Sequence, residues 1–268
     1  MTAFRGVDLK IGLLGCGNIG LIIAKAVDSG VIRGTLSIVY DIDPAKSKKL
    51  ASTLKKKPRI ADSFEKLLDD AEIIVEAASQ KAVREHALKA LTAGKHMLVM
   101  SAGALLDEKL FQGMVSAAEK NSANIYVPSG AVCGIDGVKS ASVGGIKSVL
   151  LQTTKNPHSI KGFEHIRRRR VIFDGPASKA VKLFPANINV SAILSLAGIG
   201  AQKTRVRIVA DPKVKRNTHE IFVSGEFGRL YSRADNMPSP DNPKTSYLAC
   251  LSAIKTLNEI ECAVRIGT

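Results

Sequence analysis

Two short stretches contain residues whose types and spacing could do chemistry: "RNTHEIFVSGEFG" (Arg216 to Gly228) and "GCGNIG" (Gly15 to Gly20). In the first, polarity alternates as in a half-buried strand, which predicts His219, Ile221 and Val223 on one face. An imidazole on an apolar face is either a packed core residue or a general base, since its ordinary titration range lies near neutrality. The strand alone leaves both roles open. Glu220 falls on the opposite face and is not the obvious partner for the ring, so the group that orients His219 is unassigned.

The second stretch matches G-x-G-x-x-G and sits between a buried apolar strand, "KIGLLG", and a helix, "NIGLIIAKAVDSG". Gly15 permits a tight turn, Gly17 lets a pyrophosphate approach the backbone, and Gly20 lets helix and strand pack closely. The helix start, Asn18 and Ile19, offers N–H groups and a partial positive charge to phosphates. Asp41 follows 21 residues after Gly20, where a carboxylate accepts hydrogen bonds from ribose hydroxyls. The pattern predicts a bound dinucleotide. The charge of Asp41 disfavours a 2′-phosphate and so favours NAD, while Lys46 and Lys48 nearby keep NADP open.

Alternating elements are needed to position these groups. Strand and helix alternate with short links through the first ~125 residues, which implies βαβ units and a parallel, doubly wound sheet of the Rossmann type. Asp107 is the expected N-cap of the last helix in this series. After Pro128 longer strands follow one another, "IKSVLLQTTK", "TRVRIVADP", "HEIFVSGEFG" and "RLYSRADN", with "SGEFG" as a hairpin turn. "PASKAVKLF" and "NVSAILSLAGIG" read as helices. "NMPSPDNPKTS" reads as a rigid link into a final helix. The expected class is α/β: a dinucleotide-binding domain (1–127), a second α+β domain of mixed or antiparallel sheet (128–240), and a C-terminal helix (241–268) returning to the first. A substrate would lie between the domains.

Composition sets limits. Apolar residues make up 45% of 268 residues, and no window approaches the ~18 consecutive apolar residues of a membrane span. The N-terminus carries no signal-like apolar region, so the expected location is cytoplasmic. The four cysteines form no C-x-x-C pair, and Cys and His show no metal-like spacing, so no metal is expected. The net charge of +15 raises nucleic-acid binding. The densest basic runs, Lys46 to Lys57 and Arg167 to Arg170, lack interleaved aromatics for base stacking. They read as a solvated helix face and an exposed loop. No specific nucleic-acid or membrane partner is expected.

Four further stretches add specificity: "VPSGAVCGIDG", "FPANINVSAILSLAG", "ADPKVKRNTHEIFVSGEFG" and "NMPSPDNPKTSYLA". Together with "GCGNIG" they resemble the L-aspartate dehydrogenase family over nearly the whole chain. The resemblance implies NAD- or NADP-dependent conversion of L-aspartate to iminoaspartate and then to oxaloacetate plus ammonia. It also implies a role in pyridine nucleotide (NAD) biosynthesis, with iminoaspartate handed to a quinolinate-forming enzyme. A homodimer with its contact on the second domain is implied as well. The family's catalytic histidine falls on His219, and two cofactor-contacting positions fall on Ala131 and Asn189. Cys133 departs from the small apolar residue more usual there.

Such a reaction needs a base for the amine, an activated water, and cations or N–H donors for two carboxylates. Thr154 and Lys155 at the end of "LLQTTK", and Lys244 and Thr245 where the last helix is expected to begin, are the candidates. His86, beside Glu85, reads as surface, and His96 as structural. Two other enzymes compete with this reading: a dihydrodipicolinate-reductase-like enzyme, and a semialdehyde dehydrogenase using Cys133 as nucleophile. A third rival is a non-enzymatic NAD-binding sensor.

Overall fold

The computed structural model describes residues 9–184, 188–240, 242–260 and 262–267. They form two compact units, one running through Pro128 and including Cys250–Ile266, the other comprising Ser129–Ala249 and the last residues.

The first unit is a six-stranded sheet with strand order β3-β2-β1-β4-β5-β6, every pair parallel. Its strands are β1 (Lys10–Leu14), β2 (Thr35–Tyr40), β3 (Arg59–Ile60), β4 (Ile73–Glu76), β5 (His96–Val99) and β6 (Ile125–Tyr126). The helices are α1 (Asn18–Asp28), α2 (Pro44–Thr53), α3 (Phe64–Asp69), α4 (Gln80–Thr92) and α5 (Glu108–Lys120). Both faces of the sheet are buried. Ile11, Leu13, Ile73 and Val75 pack with α1 on one face, while Ile74, Met97 and Val99 pack with α3, α4 and α5 on the other. This is why the strands read as continuous apolar runs. Polar caps set the helix starts: Asp43, Ser63, Ser79 and Asp107 each accept a backbone N–H from the first turn. The C-terminal helix α9 (Tyr247–Ile260) contributes Ala253 and Leu257 to the core beside α1.

The second unit is a five-stranded mixed sheet in the order β11-β10-β7-β9-β8. Its strands are β7 (Ile146–Lys155), β8 (Arg170–Pro176), β9 (Arg205–Ala210), β10 (Asn217–Gly225) and β11 (Gly228–Asn236). Only β7 and β9 run parallel. Helices α6 (Ile135–Val143), α7 (Ala177–Leu183) and α8 (Ile188–Ala197) cover one face, where Val149, Leu151, Val206, Ile208, Ile221 and Val223 meet Val138, Ala180 and Leu194. The hairpin at "SGEFG" closes with Gly225 opposite Gly228.

Three expectations are corrected. "NMPSPDNPKTS" is not a plain link: β12 (Pro238–Ser239) and β13 (Asn242–Ser246) pair antiparallel across it, and Asp241 lies outside the described residues. The arginine run is not wholly loop, because Arg170 opens β8 and pairs with Ala210. Lys244 and Thr245 do not begin the last helix. They belong to β13, and α9 starts at Tyr247, so their N–H groups are not those of a helix N-terminus.

Among the described residues no helix is long and apolar enough to cross a membrane.

A Cβ added at Gly20 would lie 2.1 Å from the Gly15 carbonyl oxygen, a backbone atom that cannot swing aside. Gly20→Ala should therefore cost about 2 kcal/mol of stability, read as a lowered Tm in a thermal melt. An unchanged Tm would contradict this packing.

Candidate active site

In the first unit the chain reverses its order between β1 and β4, which lie side by side with Leu14 opposite Glu76. The crevice outside the carboxyl ends of two such strands is where open α/β sheets bind nucleotides. The glycine turn sits there. Gly15 has φ +101°, and a Cβ on it would come within 2.7 Å of Ala77 and Ala78, so only glycine fits. Its N–H donates to the Tyr40 carbonyl, 2.8 Å away, tying the turn to the end of β2. Gly17 caps α1, and the space its missing Cβ leaves is open. The first intrahelical bond runs from Leu21 N–H to Gly17 O, so the N–H groups of Asn18, Ile19 and Gly20 point out of the helix end.

Asp41 follows β2 with its carboxylate held in place. Oδ2 accepts from Cys16 N–H at 2.8 Å and Oδ1 from Asp43 N–H at 2.9 Å. Gly15, Asp41, Ala78, Ser79, Lys81 and His86 line a cavity of about 150 Å³. A turn with glycine at positions 15 and 17, a helix start and a fixed carboxylate beside a cavity fit a dinucleotide. Cys16 is buried with its Sγ 3.6 Å from Ser47 Oγ, and burial pushes its pKa up to about 11, so it fills space rather than reacts. His86, read as surface, is half-buried. Its ring stacks on Phe64 at 4.2 Å between centroids, and burial lowers its pKa.

In the second unit β10 pairs with β7 so that His219 stands opposite Thr153, on the helix-covered face. His219 is 6% exposed. Its Nδ1 lies 2.9 Å from Thr153 Oγ1. Thr153 is thus the ring's partner, which single-strand reasoning could not supply because it stands 66 residues away across the sheet. Burial pushes the His219 pKa down to about 3, with the positive charge of Lys155 adding to the effect. Lys155 shares the face of Thr153 two residues on, and burial pushes its pKa down to about 8. A ring held neutral, oriented through one nitrogen and set near a cation can receive a proton beside an anionic ligand. As expected, Glu220 points the other way, to Gln152 Nε2 and Tyr231 OH.

The other candidates separate. Thr154 stands opposite Thr218, on the face away from His219. Ala131 is buried, and its carbonyl accepts from Asn236 Nδ2 at 3.0 Å. The turn that carries it packs on α8, because a Cβ at Gly130 would meet Ile193 at 3.1 Å. Asn189 is exposed in the first turn of that same helix. The Lys244 side chain lies outside the described residues, and Thr245 is half-buried in β13. Cys133 is exposed, and its Sγ lies 3.5 Å from the backbone carbonyl of Arg233 rather than from a histidine. Among the described residues no group of three His, Cys, Asp or Glu side chains could hold a metal ion.

Residues 15–128 match the family described as homoserine dehydrogenase, NAD binding domain, and residues 136–260 match aspartate dehydrogenase, C-terminal. L-aspartate dehydrogenase of Methanosarcina barkeri is 49% identical over 97% of this chain and 100% of its own length. The enzyme of the same name from Methanosarcina acetivorans is 47% identical over the same shares. The crystal structure of aspartate dehydrogenase from Thermotoga maritima superposes with a TM-score of 0.79 at 28% identity, covering 97% of this chain and 100% of that one. A nucleotide-binding first unit and a histidine-bearing second unit, each matched over most of its length, place the chain in the L-aspartate dehydrogenase family.

Proposed function

We propose that this chain catalyses the NAD(P)-dependent oxidative deamination of L-aspartate to iminoaspartate, which hydrolyses to oxaloacetate and ammonia. The observation that carries the reading is the buried imidazole of His219, hydrogen-bonded to Thr153 with Lys155 on the same face of the sheet. The bound nicotinamide would supply the acceptor for the hydride that leaves Cα of aspartate. Gly15, Gly17 and the N–H groups of Asn18, Ile19 and Gly20 would hold its pyrophosphate, and Asp41 its ribose. Fixed by two backbone donors, the Asp41 carboxylate cannot turn away from a 2′-phosphate, which supports NAD as the preferred cofactor. Ala131 and Asn189 would contact the cofactor as well.

His219 would act in two proton transfers. The amine must lose a proton before its nitrogen can drive hydride departure, and the water that attacks the imine must lose one as well. The tautomer that donates from Nδ1 to Thr153 leaves the Nε2 lone pair for this work. A pKa of about 3 makes the free ring a weak base. Aspartate brings two carboxylates into its surroundings, and nearby negative charge stabilises the imidazolium and raises its basicity. Lys155 would bind one of those carboxylates.

The product iminoaspartate is reactive and short-lived in water, which supports direct supply to a quinolinate-forming enzyme in NAD biosynthesis. A homodimer is supported by the open face of the second sheet, where Phe222 (38% exposed) and Tyr231 (55%) pack as tilted rings at 4.9 Å between centroids.

NADH formation from L-aspartate, with D-aspartate, L-glutamate, aspartate semialdehyde and NADP as comparisons, tests the reading. Turnover is expected with L-aspartate and preferentially with NAD, and its absence would sink the proposal. His219→Asn should lower kcat about 10²- to 10⁴-fold while leaving NADH binding intact, whereas Lys155→Met should raise KM for aspartate about tenfold or more. Wild-type kcat in His219→Asn would remove the ring from the mechanism. In sedimentation the parent should run as a dimer and Phe222→Asp as a monomer; a monomeric parent would contradict the assigned interface.

A further inference from the structure

Glu76 is the last residue of β4 and is fully buried, yet none of the steps above uses it. A carboxylate removed from water is costly unless hydrogen-bonded on several sides. Here it accepts four hydrogen bonds. Oε1 takes Ala78 N–H, Ser79 N–H and Ser101 Oγ–H, and Oε2 takes Ser101 N–H, each at 2.9 Å. Burial pushes its pKa up, and all four donors act against that by stabilising the ionised form.

The donors come from two loops. Ala78 and Ser79 lie between β4 and α4, and Ser101 lies just after β5. Both loops are at the carboxyl edge of the sheet, and β4 is the strand beside which the chain order reverses. Ala78 and Ser79 also line the cavity next to Asp41. Gly15 rests against Ala77 and Ala78 so closely that a Cβ would come within 2.7 Å, and Gly20 rests on Gly15 in turn. One buried anion is therefore joined, through a stack of backbone contacts, to the turn that receives the pyrophosphate.

We propose that Glu76 is a positioning residue for the nucleotide: its carboxylate locks the Ala77–Ser79 and Ser101 loops into one rigid wall behind the glycine turn. This rests on dinucleotide binding by the first unit and not on the choice of aspartate as substrate. An amide cannot replace it. In Glu76→Gln the oxygen can keep the Ala78 and Ser79 donors, but the amide NH₂ then faces the Ser101 N–H, so donor meets donor. Ser101→Ala removes one donor and leaves the rest.

Equilibrium NADH binding, followed by fluorescence without aspartate, tests the proposal on the full chain alongside a thermal melt. Glu76→Gln should weaken NADH binding about tenfold, and Ser101→Ala about threefold. In both variants kcat at saturating cofactor should stay within about twofold of the parent's, because the reacting groups are untouched. A lower Tm with unchanged NADH affinity would show a clamp that serves the sheet alone, and would overturn the proposal. If Glu76→Gln does not fold, Ser101→Ala decides on the same two readings. Failure of aspartate turnover in the parent would leave this binding result standing on its own.

Discussion

Removing an imidazole from water while leaving it able to take a proton is the constraint that organises the second unit. Burial of His219 holds it neutral, with a pKa near 3 in place of about 6.5. A tenfold change in the protonation equilibrium corresponds to about 1.4 kcal/mol, so a charged ring at this site would cost several kcal/mol. The sign of the stability effect follows. Below about pH 6.5 the unfolded chain takes up a proton that the folded ring refuses, so this residue's contribution to stability falls as pH drops from about 6.5 towards 3. The sheet supplies one hydrogen-bond partner, Thr153, and sets Ile221 and Lys155 on the same face.

The first unit handles its buried anion by the opposite means. Where His219 is kept uncharged by having few partners, Glu76 is given four donors, and two loops are fixed in the process. The glycine turn depends on that wall and on the tie from Gly15 N–H to Tyr40 O. Binding geometry at the nucleotide end therefore comes from backbone held by hydrogen bonds and close packing. At the histidine end it comes from strand register.

These two origins explain what could be read from the sequence. A glycine turn is local, so G-x-G-x-x-G and the carboxylate of Asp41 are visible in one short stretch each. Alternation within β10 is local too, and it put His219 and Glu220 on opposite faces as observed. Thr153 was invisible because its meeting with His219 needs the register of two strands. Glu76 was hidden in an apolar strand whose side chains point both ways into core. β8 is masked in the sequence by the four arginines that run into its start, and the six residues of α3 carry too little periodicity to show a helix. The partial burial of His86 is hidden for the same reason, since the Phe64 it stacks on belongs to α3. The hairpin β12–β13 reads as a link in the sequence because its prolines and asparagines mask the strand pattern.

The neutrality of His219 in the free protein is the claim on which the proposed chemistry rests. NMR titration of its ring nitrogens in the cofactor-free protein measures it directly. Chemical shifts typical of a neutral ring, with the proton on Nδ1, should persist down to about pH 5. A ring that gains its second proton near its ordinary value of about 6.5 would contradict the account.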